Sequence, residues 1–503
     1  MSQIRKQSII SSVMVYFGFA LGLLNTYLFT RQGGFTKEQY GLTNIFIAIA
    51  SLMFSFSNLG TTAYIGKFYP YYKDNLPDKK NDMMAWSSLF ATIGFCLVIV
   101  AGFVFKDLVI RKFGGNSPEL VTYYYWIFPF GLGLSIYTLY EVYAWQVRKA
   151  ILTSYLREVQ FRMFTTILII LTTTGIISGF PVFIKIYSFT YLLLALSLIV
   201  YLLVTKQLYI TFSVSRVTKK FLKKIITLAS LVYGGSLVYM IAAVFDTIVI
   251  AAVMKDGLAY AGIYSLAQNM ASLIQAPQRG VIASSMPALS RAWKDKDMNK
   301  INRIYHRSSI NQLIFAVILF SLIWLNFKDG ISTFKLQADY ANAMWVFFFI
   351  GLMRIVDMGT GVNSQIIITS THWRFEFTTG IILIFLTLPF NYLLTKHFGV
   401  TGPAISNLAS FTVYNLIRYI FLLKKYKMQP FDLKTLYTLL LGICCFIITF
   451  YFFNNYHGFI TMLIRSVCFI LIYVAGCLTL KLSPDIIPIW RTTLKRIGIR
   501  KDE

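Results

Sequence analysis

Seven charged residues interrupt stretches that are otherwise apolar: Glu141, Asp246, Arg279, Arg354, Asp357, Arg418 and Arg465. In lipid each would cost about 3 kcal/mol or more near the bilayer centre, so such a charge faces a partner or water and marks a candidate path for ions or substrate. Arg354 and Asp357 stand one helical turn apart, close enough to neutralise each other. Glu141, Arg418 and Arg465 lie near the ends of their stretches, within snorkelling reach of the interface. Asp246 and Arg279 sit deeper and have no local partner. They are the strongest candidates for a functional role, set against a structural ion pair between their two helices.

Catalytic chemistry finds little to work with. No G-x-x-x-x-G-K-[ST] run is present to cradle a nucleotide phosphate. The four histidines (His306, His372, His397, His457) stand in loops or at the ends of apolar runs, none near another His at metal-ligand spacing. The sequence therefore points to no catalytic residue, no metal and no cofactor. Any pumping has to draw on an ion gradient, a substrate gradient or a partner, with coupling to Na+ or H+ as the candidate.

The elements that position these charges follow from composition. Of 503 residues 57% are apolar and 13% charged, yet Lys plus Arg outnumber Asp plus Glu by 47 to 20, a formal net charge of +27. A mean hydropathy of +0.64 is too high for a soluble basic protein, which removes nucleic acid as the expected partner. Lipid solvating the apolar surface, with Lys and Arg gathered in short loops, accounts for both facts. The five cysteines all lie inside apolar runs and form no C-x-x-C pair, which argues against a disulfide framework or zinc site.

Apolar stretches of spanning length fall at 9–30, 41–66, 83–105, 120–145, 159–177, 183–204, 225–253, 260–286, 308–327, 341–369, 377–396, 402–423, 435–453 and 459–480. An all-α polytopic membrane protein of about fourteen transmembrane helices is expected, with no room for a globular extramembrane domain. The first stretch follows Arg5 and Lys6 but is too long for a signal peptide and lacks its cleavage site, so it is expected to remain as a span. With charges at span edges counted to the adjoining loop, the termini and even-numbered loops carry 33 Lys and Arg and the odd-numbered loops 10. The positive-inside rule places both termini in the cytoplasm. The largest basic loops, 205–224 and 287–307, are expected to anchor topology and to attract anionic headgroups.

Shifting the chain by 221 residues lays its first half on its second. Asn25-Thr26 falls on Asp246-Thr247, Gly41 on Gly262, Asn44 on Ser265, Ser51 on Ser272 and Asn58 on Arg279. Six spans separate the copies, an even number, so the halves share one orientation and form a parallel repeat about an axis along the membrane normal. The expected organisation is an N-lobe over 1–224, a C-lobe over 225–424, and an accessory helix pair with a basic cytoplasmic tail over 425–503. Such lobes enclose a cleft, and helical spacing shows which faces would line it. The second helix carries Asn44, Ala48, Ser51, Ser55, Asn58 and Thr62 on one face, and the eighth carries Ser265, Gln268, Ser272, Gln275 and Arg279. Arg354, Asp357, Gly361 and Ser364 do the same on the tenth, and Ser11, Gly18, Gly22 and Asn25 on the first. Polar stripes of this kind either hydrogen-bond neighbouring helices or line water, and the spacing leaves both open. Pro129, Pro277, Pro287 and Pro389 within or at the ends of spans permit kinks, Pro277 two residues before Arg279.

The residues also carry a family resemblance. Between Leu28 and Tyr69, Tyr40-Gly41-Leu42, Asn58-Leu59-Gly60 and Lys67-Phe68-Tyr69-Pro70 resemble the opening of the bacterial polysaccharide biosynthesis proteins related to O-antigen flippases. Asp246 followed by Ala261-Gly262-Ile263-Tyr264-Ser265-Leu266-Ala267 resembles the opening of their second half. Phe398-Gly399-Val400-Thr401-Gly402-Pro403-Ala404 is similar to the glycine-rich start of helix twelve, although the family more often has alanine where Pro403 stands. The resemblance covers roughly residues 9 to 424 and implies a member of the multidrug, oligosaccharidyl-lipid and polysaccharide (MOP) exporter superfamily: two six-helix lobes in a V, related by pseudo-twofold symmetry and working by alternating access.

The flippase branch of that superfamily implies a substrate of undecaprenyl-pyrophosphate-linked oligosaccharide, turned across the inner membrane for surface polysaccharide synthesis. Its central cavity is typically cationic, which gives Arg279 and Arg354 the pyrophosphate, since guanidinium binds phosphate oxygens bidentately and stays charged. Asp246 and Asp357 become candidate coupling or cavity acids, and Asn25, Asn44, Ser51, Ser55, Asn58, Gln268, Ser272 and Gln275 the polar lining. The last two helices would form a groove for the prenyl tail. Membrane lipids, and polysaccharide polymerase or assembly proteins, are the expected partners of a chain acting as a monomer. Two alternatives stand beside this reading: an ion-coupled multidrug or metabolite antiporter of the same superfamily, in whose first helix an acid often stands where this chain has Asn25, and a membrane glycosyltransferase or polysaccharide polymerase.

Overall fold

The computed structural model describes residues 3–485, and among them the regular structure is entirely helical. The basic tail expected beyond residue 485 lies outside the described residues, as does the side chain of Ser11. Backbone packing divides the chain into two compact units, Met1–Gly262 and Ile263–Glu503.

The first unit holds α1 (Gln3–Thr30), α2 (Lys37–Ser57), α3 (Thr61–Asn75), α4 (Met83–Val104), α5 (Lys106–Phe113), α6 (Pro118–Thr122), α7 (Ile127–Gln146) and α8 (Ala150–Ser154). A π-helical turn, Tyr155–Gln160, leads into α9 (Phe161–Thr173), followed by α10 (Phe180–Tyr187), α11 (Thr190–Val204) and α12 (Arg216–Val253). α13 (Gly257–Lys294) begins in the first unit and runs into the second, where it is followed by α14 (Met298–Thr333), α15 (Ala343–Gly359), α16 (Asn363–Thr369), α17 (Trp373–Phe398), α18 (Gly402–Tyr426), α19 (Leu433–Phe453) and α20 (Phe459–Thr479).

Each of the fourteen predicted stretches overlaps a helix, and among the described residues nine helical runs are long and apolar enough to cross a membrane. Several stretches are broken by side chains that satisfy the freed backbone. The 41–66 stretch divides where Asn58 Oδ1 accepts from the Thr61 hydroxyl at 2.7 Å and the Thr62 N–H at 3.2 Å. The 341–369 stretch divides at Thr360–Val362, where the Ser308 hydroxyl accepts from the Val362 N–H at 3.3 Å.

Helix starts carry local signals. Thr36 and Gln39 form a reciprocal capping box on α2, and Asp432 and Thr435 another on α19. Ser215 caps α12, and Asp82, fully buried, accepts from the Ser215 N–H (2.9 Å) and the Thr218 hydroxyl (2.7 Å). A chain of hydroxyls from Tyr64 through Tyr72 to Thr218 thus fixes α3 and α12 to the turn before α4.

Aromatic packing fills the first unit, with Phe29, Phe35, Phe180 and Phe183 in mutual edge or stacked contact and Phe130 stacked on Tyr187. In the second unit one apolar cluster joins Leu289, Tyr305, Ile366 and Leu422. Another seats Phe469, Tyr473 and Cys477 of α20 and Cys445 of α19 on Leu313 and Val317 of α14. Buried apolar area of this sort contributes about 25 cal/mol per Å2 where water is displaced, and through closer packing where lipid is. All five cysteines are free thiols.

Candidate functional site

In the second unit the predicted site residues converge on α13 and α15. Gln275 donates to Gln278 at 2.9 Å, and Gln278 donates to Asp357 Oδ2 at 3.0 Å. Gln278 is the neighbour of Arg279, and Asp357 lies one turn beyond Arg354 on α15. This amide bridge therefore draws together the two helix segments that carry the arginines. Arg279 is exposed and has no hydrogen-bond or ion-pair partner among the described residues, and Arg354 is half-buried. Gln268, Ser272 and Gln275, on the same face of α13, are all half-buried, and the Ser272 hydroxyl bonds the Asn269 carbonyl of its own helix.

Asp357 is held by amides from two sides, since Asn415 of α18 donates to its Oδ1 at 3.2 Å. Asn415 Oδ1 in turn accepts from the Thr360 hydroxyl (3.0 Å) and Asn363 Nδ2 (2.9 Å). One turn further along α18, Arg418 pairs with Glu376 of α17 while its guanidinium lies 3.6 Å from the Tyr414 ring centre. Glu376 also accepts from the Ser364 hydroxyl at 2.7 Å and from Tyr414. The result is a buried polar network over α13, α15, α16, α17 and α18, carrying two acids and one cation. Buried charge of this kind persists where it is paired and hydrogen-bonded.

Arg418 was expected to snorkel, as were Glu141 and Arg465. The structure corrects all three: each is about 5% exposed or less and bound to an opposite charge. Glu141 accepts from Arg157 of the π turn at 3.0 Å. Arg465 of α20 bonds Asp329 of α14 at 2.6 Å and Asn326 at 2.8 and 3.0 Å, and Asp329 also meets His457 at 2.8 Å. Sequence reasoning missed Glu376, Asp329 and Arg157 because they flank the apolar stretches. It also missed Gln278 and Asn415. A signal for α18 was present: Asn407, Ser410, Tyr414 and Arg418 recur every three to four residues.

In the first unit the predicted residues lie on α1, α2 and α12. Asn25 joins α1 to α9, donating to the Arg162 carbonyl at 2.9 Å and accepting from the Thr166 hydroxyl at 2.5 Å. Gly18 lies one turn-pair earlier on the same helix, where an added Cβ would come within 2.5 Å of the Glu158 carbonyl oxygen. Asn44 and Ser51 bond carbonyls of their own helix, Ser55 approaches the Ser236 carbonyl of α12 at 3.5 Å, and Asn58 ends α2. Asp246 is buried on α12. Among the described residues no cluster of His, Cys, Asp and Glu is arranged to hold a metal ion.

Compared by sequence, the chain matches no family profile and no curated protein. Compared by structure, it is similar to the lipid II flippase MurJ in an inward closed conformation, at 18% identity and a TM-score of 0.65, covering 93% of this chain and 98% of that one. It is similar to an inward-facing MATE family multidrug resistance transporter of the MOP superfamily, at 14% identity and a TM-score of 0.64, covering 80% and 93%. A mutant of the MATE transporter VcmN from Vibrio cholerae follows at 13% identity and a TM-score of 0.54, covering 85% and 98%. The chain has the fold of these solved structures.

Proposed function

We propose that the chain is a flippase of the bacterial inner membrane that moves an undecaprenyl-pyrophosphate-linked oligosaccharide to the outer leaflet by alternating access, for surface polysaccharide assembly. The observation that carries this reading is one of extent. The structural match to a lipid flippase takes in 93% of this chain and nearly all of the flippase, whereas the two MATE structures are themselves almost fully covered yet account for 80% and 85% of it. What they leave over is close in size to the segment from Lys425 onward, the accessory pair that a lipid substrate would use.

In this reading Arg279 and Arg354 grip the pyrophosphate. Arg279 is an exposed cation, and the Gln278–Asp357 bond keeps the two arginine-bearing segments adjacent. Guanidinium groups bind a diphosphate without change of protonation at any biological pH. The half-buried Gln268, Ser272 and Gln275 offer hydroxyl-binding groups beside them, and Asp246 and Asp357 are the coupling acids for Na+ or H+. Lobes over 1–224 and 225–424, cytoplasmic termini and a monomeric transporter complete the proposal.

The test is the double replacement Arg279→Gln/Arg354→Gln. At normal protein level, surface glycan export should fall to background while lipid-linked precursor accumulates. Unchanged export would remove the headgroup role. The MATE likeness favours one second reading, ion-coupled efflux of soluble compounds: dye efflux from intact cells that needs Asp357 and persists without glycan genes would select it over the flippase.

A further inference from the structure

The first unit carries an open groove of about 550 Å3 between α3 and α12, which involves none of the residues proposed to hold the substrate. A volume in this range suits a ligand of headgroup size. Phe68 and Tyr71 of α3 meet Phe221 of α12 at ring-centre distances of 5.7 and 5.0 Å, which forms an aromatic floor. Around it stand Lys67 of α3 and Lys223 and Lys224 of α12, all exposed, with the Lys224 ammonium 5.8 Å from the Phe221 ring centre. No acid lines the groove, and none of these three lysines has an ion-pair partner among the described residues. Like charges brought together by two helices repel one another, so the groove favours an anion.

The position of the groove says what kind of anion. Along α12 it runs from Lys223 and Lys224, the last basic residues of 205–224, to Thr227 and Leu228, one turn further into the apolar stretch that begins at 225. It thus crosses from charged to apolar surface, and Leu222 and Ile226 beside it are 51% and 57% exposed. A soluble anion would use only the lysines. A phospholipid would use both ends, with its phosphate on the ammonium groups and its glycerol and first acyl carbons along the aromatic and aliphatic wall.

The groove is formed without a ligand. Tyr72, the neighbour of Tyr71, bonds Thr218, one turn from Phe221, at 2.6 Å, so α3 and α12 are already joined beside it. A basic loop attracts anionic lipid diffusely, whereas a groove fixed in this way supplies a discrete seat.

We propose that this groove binds one anionic phospholipid of the surrounding leaflet, with Lys67, Lys223 and Lys224 on the phosphate and Phe221 and Leu228 against the glycerol and first acyl carbons. The seat does not depend on which substrate the chain moves. In the experiment the full-length protein in nonionic detergent is titrated with phosphatidylglycerol or phosphatidylcholine, and bound lipid is counted by native mass spectrometry. One tightly held phosphatidylglycerol is expected, preferred over phosphatidylcholine by about tenfold or more. Lys67→Gln/Lys223→Gln/Lys224→Gln should weaken it about tenfold or more. The charge-matched Lys294→Gln/Lys296→Gln/Lys300→Gln, in the other large basic loop, should leave it within about twofold. Thr227→Trp, which keeps every charge and fills the apolar end of the groove, should weaken it several-fold. Equal weakening by the two triple variants, or none by Thr227→Trp, would mean diffuse attraction to basic surface and overturns the seat. Displacement of the lipid by an equal concentration of glycerol 1-phosphate, which has the phosphate but no acyl chains, would give the groove to a soluble anion and overturns the proposal as well. So would the absence of saturable phosphatidylglycerol binding.

Discussion

Gly41 and Gly262 meet backbone to backbone, each standing against the residue that corresponds to the other's own neighbour. A Cβ on Gly41 would overlap the Leu258 carbonyl oxygen, and a Cβ on Gly262 would come within 2.6 Å of the Lys37 carbonyl oxygen. Lys37 and Leu258 are 221 residues apart, as are the two glycines. The contact is thus reciprocal, as expected where two copies of one segment cross on a pseudo-twofold axis, and the register found by shifting the sequence is present in the packing. Alanine at either position should force the helix starts apart, at about 1–3 kcal/mol or more. Gly41→Ala should lower the melting temperature in detergent more than Gly262→Ala, because its overlap is the more severe. The reverse order, or no loss in either variant, would contradict the reciprocal crossing.

Arg418 and Glu376 form an ion pair inside the second unit, with side chains 6% and 14% exposed. Removing one partner strands the other, which in buried pairs costs about 3–5 kcal/mol, whereas replacing both by apolar groups is far milder. Arg418→Met and Glu376→Leu should each destabilise strongly, and the double variant should recover much of the loss. Thermal melting of the four proteins reads the coupling. A double variant as unstable as the sum of the singles would mean that the two do not act as a pair.

Apolar windows and helical spacing made the helices and the repeat readable, because lipid selects long apolar runs and a repeated fold keeps its register. They did not reveal how the charges are answered. Glu376 and Asp329 lie at the margins of apolar stretches, where hydropathy gives them no weight, and their partners Arg418 and Arg465 are 42 and 136 residues away. Seen alone, each arginine looks like a side chain seeking the interface. Asn25 and Asp357 were legible as intramembrane polar groups, but not the amides and hydroxyls that hold them, which come from α9, α13 and α18.

Beyond α20 the chain is tied back to α14. Arg307 and Asn311 both bond Asp485, the latter at 2.7 Å, and Ser483 bonds Asn311. The Arg307 hydrogen bond holds the Asp485 carboxyl below its usual range. A carboxyl whose folded value is depressed contributes stability that is fully present above its unfolded value, about 3.9, and is lost as pH falls through the folded one. The melting temperature should therefore drop more steeply in wild type than in Asp485→Asn as pH is lowered from 5 towards 3. Parallel profiles for the two proteins would show that this clamp makes no contribution.

At the far end of the same pair of helices, Arg465 holds α20 to α14 through Asp329 and Asn326, with His457 from the preceding loop as a third member. The members are unequal. Arg465 is 6% exposed and supplies charge-assisted bonds worth about 1.5–3 kcal/mol each where buried. His457 is 70% exposed, so its contact with Asp329 is worth about 0–1 kcal/mol. Arg465→Leu should therefore loosen α20 where His457→Ala barely does. The apolar contacts of Phe469 and Tyr473 with α14 remain in both variants, so the loosening should be local at the α19–α20 turn. Limited proteolysis at the 454–458 loop reads this directly: cleavage should rise several-fold in Arg465→Leu and stay near wild type in His457→Ala. Equal protection of that loop in all three proteins would show that the apolar cluster alone seats the pair.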